Sequence, residues 1–524
     1  MALPIFLYLF ISTLALTVSS YLYIRSRGSS DNSLLRKNWP IARILPFLAN
    51  LRNFHDYLTA ILAASGCNSS VQVGLTSRPF ILTSDPSNVQ HMFTTNHANY
   101  VKGEIFPEIF DIVSDTILTV DGEAWRQQRA KGKTMLCSQK MTSWVASCCH
   151  GKVAKGLLPF LARMASTRAP FNMQELMGRL VFDQTATLVF GVDPGCLSLL
   201  DEMPSMRVAD AMDTVMEVAF FRQIVFNHLW KLMRWLNISF EWKLAAAHVV
   251  LHAFVTEMVE KRNFARHHHQ DIDGDKVTCV DVLSYYITDP ECRSDGNLLR
   301  KMLLVYMIGG RDTVGTALPW VFYNLAKNPG VVSSIRKELA PLASRKGGTT
   351  VVSTDDAGNQ MVVFESEETK PLVYLQATLF ESLRLYPPAP VEGKAVVNDD
   401  VLPSGHQVRR GEVILISIYA MGRMESVWGK DCHEFRPERW LSEDGTKLQY
   451  VPSCKFLAFN SGPRLCLGKD IAIMEMKTIV AAVVWNFDVE VLEGQSVKPK
   501  LSFLLQMENG LMVTVKKREE CSKL

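Results

Sequence analysis

Phe459-Asn460-Ser461-Gly462-Pro463-Arg464-Leu465-Cys466-Leu467-Gly468 sets a single cysteine among glycines and a proline, and the apolar run Ile471 to Trp485 follows it. Glycine has no Cβ, so a backbone of this kind passes close to a flat group, and nearby amides can point at the sulfur. That suits a thiolate ligand. Arg464, two residues earlier, would help neutralise an anion, and the apolar run reads as a buried helix. The other cysteines give no competing pattern. There are 11 in all, an odd number without repeated spacing, and the adjacent pair Cys148-Cys149 cannot make a C-x-x-C knuckle. A disulfide framework is not expected; most read as small buried hydrophobes in a reducing compartment.

Outward from that loop, the 524 residues are 48% hydrophobic and 21% charged, a globular composition. Lys+Arg 56 against Asp+Glu 53 leaves a net charge of +3, so nothing global argues for nucleic acid as a partner. No internal repeat and no second linker interrupt residues 50 to 520, so one large domain is the simplest reading. Helical spacing dominates from 140 to 390, notably in Val208 to Phe221, Ala245 to Lys261 and Asn297 to Lys327. Strand-like segments are few: Val71 to Thr83, Val413 to Ile418 and Leu511 to Lys516. The class expected is mainly α with small β-sheets. Two polar inserts, Arg262 to Lys276 and Ser344 to Lys370, read as surface loops. The first holds His267-His268-His269, whose side chains would diverge, and Asp271-Ile272-Asp273-Gly274-Asp275, which lacks a closing glutamate in register. Neither is read as a metal site.

At the amino terminus, Ile5 to Ile24 carries no charge and is followed by Arg25 and Arg27. At 1.5 Å per residue the run spans about 30 Å of hydrocarbon. A cleaved signal would need a positive n-region before it, which is missing. Residues 1–27 therefore read as a transmembrane anchor, 28–49 as a linker and proline-marked hinge, and 50–524 as one large globular domain. The positive-inside rule places that domain in the cytosol; the endoplasmic reticulum as the membrane, in a single pass, is what the family resemblance described below implies. On that topology the acceptor patterns at Asn68 and Asn237 never meet the glycosylating machinery.

Three further motifs lie upstream of the cysteine loop. Glu381-Ser382-Leu383-Arg384 puts an acid and a base on one helix face, Phe435-Arg436-Pro437-Glu438-Arg439-Trp440 follows, and Trp125-Arg126-Gln127-Gln128-Arg129 places Trp125 and Arg129 four apart. Taken alone, an i, i+3 Glu/Arg pair is a solvated salt bridge worth a few tenths of a kcal/mol. Together with the complete pattern Phe-x-x-Gly-x-Arg-x-Cys-x-Gly, the set resembles the cytochrome P-450 superfamily over nearly the whole chain. The resemblance implies the P-450 fold and a haem b held by Cys466 as axial ligand to the iron. Phe459, Gly462 and Arg464 belong to the same binding loop. It also implies Trp125 and Arg129 at a haem propionate, and a structural ion cluster of Glu381, Arg384 and Arg439.

In Gly309-Gly310-Arg311-Asp312-Thr313, Asp312 and Thr313 are similar to the family's acid and alcohol pair, which delivers protons during oxygen activation. The small glycines leave room beside the iron, and the Thr313 hydroxyl can bond back to the carbonyl four residues earlier. Val314 stands where a second hydroxyl is usual, and Pro319 predicts a local kink. No dinucleotide or flavin fingerprint occurs, so the resemblance implies electrons from NADPH through a membrane cytochrome P-450 reductase. Lys133, Arg464, Lys469 and Lys477 could contribute to its docking side.

Asn38-Trp39-Pro40, Tyr100-Val101-Lys102-Gly103, Val401 to His406 and Met421 to Gly429 carry a closer resemblance, to plant midchain alkane and fatty-acid hydroxylases. Phe106, Phe110, Ile117, Phe220, Phe221, Tyr306, Val391 and Leu504 are candidate pocket residues for a small apolar substrate, although apolar residues in a helical protein are ordinarily core. Three functions are weighed: hydroxylation of an alkane or fatty acyl chain, oxidative phenol coupling in alkaloid synthesis on the same haem, and a haem-binding protein without turnover. The last would not require Asp312 and Thr313.

Overall fold

The apolar periodicity is realised as packed helices in the computed structural model, which describes residues 50–71, 80–197, 205–225, 227–270, 281–345, 351–353 and 360–518. The helices that position the site are α1 (Phe54–Ala64), α2 (Gly122–Leu136), α3 (Gln139–Lys152), α4 (Met173–Phe190), α5 (Arg207–Ile224), α6 (Asn227–Leu236), α7 (Phe240–Gln270), α8 (Gly296–Met307), α9 (Thr313–Lys327), α10 (Pro329–Arg345), α11 (Val373–Leu385) and α12 (Lys469–Asn486). Their ends follow from side chains at the caps. Asn172 accepts from the amides of Gln174 and Glu175 to start α4, which stops at Gly191 with φ 71°. Asp295 accepts from Asn297 and Leu298 to start α8.

The core lies where α4, α9, α11 and α12 meet, with Leu180, Leu318, Trp320, Leu379, Ile479 and Val480 in one cluster. Along α12 every residue from Met476 to Asn486 is buried, as expected for a helix that is apolar all round. Residues 297 to 327 were read as one helix. Instead α8 and α9 are joined by a widened π turn over Ile308–Asp312, and the helix then runs on through Pro319 to Lys327. The irregularity thus falls at the Gly-Gly sequence and not at the proline.

The strands are β1 (Asn68–Val71), β2 (Phe80–Thr83), β3 (Tyr100–Val101), β4 (Phe171–Asn172), β5 (Val351–Ser353), β6 (Gln360–Val362), β7 (Val391–Val396), β8 (Asp400–Val401), β9 (Gln407–Val408), β10 (Val413–Ser417), β11 (Phe487–Val491) and β12 (Met512–Lys517). The largest sheet has the order β1-β2-β10-β7-β3, with β10 parallel to β2 and antiparallel to β7. The segment Val71 to Thr83, read as one strand, is instead entered from two antiparallel strands, Asn68 facing Thr83 and Val71 facing Phe80.

The described parts of both polar inserts carry regular structure. Arg262 is buried within α7, with Nη2 donating to Asp281 at 2.6 Å, and the helix continues to Gln270. In the second insert β5 and β6 pair, and Val363 and Phe364 are buried. A few large apolar residues inside a polar segment were enough to dock it. The anchor and hinge expected at 1–49 and the acidic motif Asp271 to Asp275 lie outside the described residues. Among the described residues no single helix is long and apolar enough to cross a membrane; α6 with Phe240–Phe264 passes on length and composition only as a pair bent by 63°.

Candidate active site

The cysteine loop is closed by its own backbone: the Cys466 amide donates to the Phe459 carbonyl at 2.8 Å and the Leu465 amide to Gly462 at 3.1 Å. Gly462 has φ +61°, and a Cβ there would lie 1.9 Å from the Phe93 carbonyl oxygen, so only glycine fits. From α2, Arg129 Nη2 donates to the Leu465 carbonyl at 2.7 Å. Trp125 lies beneath two guanidinium groups, that of Arg464 at 4.4 Å and that of Arg129 at 5.6 Å from its ring centre. Arg464 is committed elsewhere, to Asp121 at 2.6 Å and the Val120 carbonyl at 2.9 Å. The cation felt at the sulfur is therefore Arg129, with Lys469, and not the Arg464 expected from sequence. Protein surrounds Cys466, although the residue keeps accessible surface. Burial pushes its thiol up, while the Gly468 amide, Arg129 and Lys469 pull it back. Every cysteine among the described residues is a free thiol.

The widened turn supplies the second half of the site. Thr313 Oγ1 donates to the Gly309 carbonyl at 2.7 Å, the back-bond that a π turn leaves room for. Gly309 is exposed although it sits mid-helix, and a Cβ there would meet nothing within 4 Å. Gly310 has a different task. A Cβ on it would come within 2.6 Å of Thr185, so this glycine lets the turn pack against α4 and leaves no room at the site. Asp312 is fully buried, and its Oδ1 accepts from Arg311 Nη1 at 2.6 Å while Oδ2 has no partner. Burial raises its carboxyl to about 6, against the pull of Arg311.

The two halves meet on α2. A Cβ on Gly132 would lie 2.9 Å from the Tyr306 hydroxyl of α8 and 3.2 Å from Leu467, the residue after Cys466. Tyr306, read as a pocket residue, spends its hydroxyl on Tyr286 at 2.9 Å. Phe220 packs edge-on to Phe54, and Phe221 stacks on Phe240 at 17°. These two are core contacts among helices. Phe106, Phe110 and Phe503 form an aromatic cluster, with Phe110 against Phe106 at 5.0 Å and against Phe503 at 4.8 Å. Leu504 is buried in the same hydrophobic cluster, where Ile117 packs on it, while Val391, at the start of β7, is half-buried.

Glu381, Arg384 and Arg439 come together below the loop. Arg384 Nε and Nη2 both donate to Glu381 at 2.8 Å, and Arg439 Nε donates at 2.9 Å. Trp440 Nε1 and the Arg436 amide add bonds at 2.9 Å, while Arg384 also binds the carbonyls of Gly422, Cys432 and Glu434. Glu381 and Arg384 have no exposed side-chain surface, so this pair is no solvated surface bridge.

Lys394 was missed by the sequence reading. It is 3% exposed, Nζ lies 3.4 Å from Glu392, and Lys102 binds the same carboxylate at 2.8 Å. Burial depresses the Lys394 ammonium to about 8, with Lys102 and Arg464 adding to the effect. The i, i+2 spacing of Glu392 and Lys394, which puts both on one face of a strand, was the available signal. Of the cations considered for reductase docking, Lys133 is exposed. Lys477 is not: it is 2% exposed and donates to the Lys370 carbonyl at 2.8 Å, so it leaves the docking surface.

A lone thiol on a glycine-closed loop, a helix opened at a small residue, and excess cations from Arg129, Arg464, Lys102 and Lys394 over Glu392 and Asp121 fit a flat, anionic, iron-bearing group. Among the described residues no cluster of three or more His, Cys, Asp or Glu offers a separate metal site. The class is that of enzymes holding haem through a cysteine thiolate. The family model described as Cytochrome P450 matches residues 35–515. Noroxomaritidine synthase from Narcissus aff. pseudonarcissus MK-2014 is 36% identical over 498 residues, 95% of this chain and 94% of that relative. Alkane hydroxylase MAH1 of Arabidopsis thaliana is 34% identical over 507 residues, 95% of this chain and 96% of its own length. Cytochrome P450 86B1 of the same plant is 36% identical over 491 residues, covering 91% and 85%. The chain belongs to the cytochrome P450 family and is a monooxygenase of that family, whose cofactor is haem iron.

Proposed function

We propose that the protein inserts one oxygen atom from dioxygen into a long apolar substrate, an alkane or fatty acyl chain. NADPH would supply the electrons through a membrane-bound reductase, with residues 1–27 holding the enzyme on the endoplasmic reticulum facing the cytosol. Cys466 would hold the haem iron, whose thiolate ligand favours O–O cleavage. Arg129 and Arg464, with Trp125 between them and Lys394 nearby, would hold the anionic edge of the group. Glu381, Arg384 and Arg439 keep the loop's support rigid and take no part in chemistry.

The observation that carries this reading is the pairing of Asp312 and Thr313 on an opened turn. Thr313 Oγ1 donates to Gly309 at 2.7 Å, so its lone pairs stay available to accept a proton and pass one on. Asp312 has an unpartnered oxygen and a carboxyl near 6, which lets it exchange protons close to neutral pH. Oxygen insertion needs such a supply. The apolar residues around Phe110 and Leu504 would hold a hydrocarbon and exclude water.

Phenol coupling is the second reading, favoured by the aromatic cluster Phe106, Phe110 and Phe503 and by the relatives named noroxomaritidine synthase. Microsomes carrying this protein and a plant reductase, offered long alkanes, fatty acids and a phenolic alkaloid precursor together, separate the two. A secondary alcohol or hydroxy acid supports insertion, and a coupled phenol without added oxygen replaces it.

A further inference from the structure

Trp320 lies seven residues after Thr313 on α9, two turns and about 10 Å along the axis, on the same face of the helix. It is buried, and its Nε1 donates to the Leu505 carbonyl at 2.6 Å, beside Leu504 of the apolar cluster. Its ring stacks on that of Tyr386 with centres 4.0 Å apart and planes 4° from parallel, while Tyr323 stands edge-on to both. Beyond Tyr386, the Arg423 guanidinium lies 5.2 Å from the ring centre of Tyr386 and 3.5 Å from that of Tyr419. The carbonyls of Leu385 and Tyr419 hold it there. Tyr419, buried in the short helix Ile418–Met421, donates its hydroxyl at 2.9 Å to Asp56 of α1, whose carboxylate is exposed. A file of stacked rings thus leads from the helix of Thr313 to a base in contact with solvent.

We propose that Trp320, Tyr386 and Tyr419 form a one-electron relay, ending at Asp56, that discharges the haem site when peroxide has oxidised it and no substrate is present. The inference needs only the haem of the family and holds for hydroxylation and phenol coupling alike. Trp320 gives up one electron towards the haem site and keeps its N–H on Leu505. The stacked Tyr386 ring acts as the bridge, because a positive charge is disfavoured beside the Arg423 guanidinium. Tyr419 then refills the vacancy. Burial raises its phenol above the ordinary value, so it starts protonated. As its electron leaves, its hydroxyl proton passes to Asp56 and on to solvent, and the neutral radical that remains is not opposed by Arg423. Each passage therefore moves one electron inward and one proton out. Two passages, with two protons from solvent, convert one hydrogen peroxide to two waters. Two molecules of a soluble thiol return one hydrogen atom each to Tyr419 and leave as a disulfide.

The test is a radical and not a product. Full-length haem protein without substrate is mixed with hydrogen peroxide, freeze-quenched and read by electron paramagnetic resonance, with ring-deuterated tyrosine incorporated to mark tyrosyl signals. The native protein should give a tyrosyl radical. Tyr419→Phe removes one hydroxyl, keeps the ring against Arg423 and should lose that signal; Trp320→Phe, which breaks the file at its inner end, should lose it as well. No tyrosyl radical in the native protein, or an equal one in Tyr419→Phe, would overturn the relay, and a signal unchanged in Trp320→Phe would overturn its path. Should Trp320→Phe not fold, Asp56→Asn at the surface decides the point. Without a base for the proton the Tyr419 signal should fall several-fold, and an unchanged signal rejects the proposal. With a thiol present, bleaching of the haem absorption by peroxide should be several-fold faster in Tyr419→Phe than in the native protein, and equal rates would remove the discharging role. These readings use no substrate, so the relay and the proposed hydroxylation stand or fall separately.

Discussion

Two buried carboxylates, Glu381 and Asp312, each face an arginine, and they have opposite fates. Glu381 accepts from Arg384, Arg439, Trp440 and the Arg436 amide, so both oxygens are engaged. Asp312 has Arg311 on one oxygen and nothing on the other. A buried carboxylate with both oxygens hydrogen-bonded is fixed in place, whereas burial raises the half-satisfied Asp312 carboxyl to about 6. The same residue types thus make a fully bonded joint at Glu381 and a half-bonded acid at Asp312.

The sharpest break in that contrast comes from the loop that the joint supports. Cys466→Ala should abolish the thiolate signature outright, and a normal carbonyl-bound absorption band in that variant would sink the assignment. Glu381→Gln should come next, costing about 3–5 kcal/mol because Arg384 is left as an uncompensated buried charge, read from the denaturant midpoint. Asp312→Asn should cost far less stability. If the two variants destabilise equally, the distinction between joint and donor fails. Thr313→Ala should keep the fold and cut product formed per NADPH by ~10²-fold or less, with peroxide released in its place.

A pH-dependent effect belongs to Glu475 on α12, whose carboxyl burial alone raises to about 8. The folded state holds this proton more tightly than the unfolded chain, so the stabilisation is full below the ordinary carboxylate range and is lost as pH rises through about 8. Glu475→Gln should therefore be more stable than the native chain at pH 8 and equal to it near pH 4.5, measured by thermal unfolding. Asp312 follows the same sign over a narrower window, its protonated fraction falling as pH rises through about 6. At the smallest end, Lys133→Ala should slow electron transfer from the reductase modestly, while Lys477→Ala, with its ammonium spent on Lys370, should leave the docking affinity unchanged.

Residues whose roles depend on sequence-local geometry were legible beforehand. The glycine-closed cysteine loop, the Glu381–Arg384 pair, the Thr313 back-bond and the helices over 208–221 and 245–261 follow from motif or period. What escaped depends on distant partners. Asp213 meets Arg311 from 98 positions away, and nothing in either neighbourhood announces it. Lys477 was assigned to the surface because lysine ordinarily is, but on an all-buried helix its nitrogen found a carbonyl. Gly310 could not be told from Gly309 until Thr185 appeared against it. The Thr313 back-bond announced an opened helix ladder, but its form as a π turn was not legible, because one turn of i→i+5 bonding over Ile308–Asp312 is too short to shift the apolar pattern visibly.

The most direct test of the account is turnover with reductase, NADPH and a long alkane or fatty acid under dioxygen labelled with heavy oxygen. The account predicts a hydroxylated product carrying one labelled atom per molecule, with yield per NADPH collapsing in Thr313→Ala. A product without label, or labelled product formed as efficiently when Thr313 and Asp312 are both replaced, would contradict it.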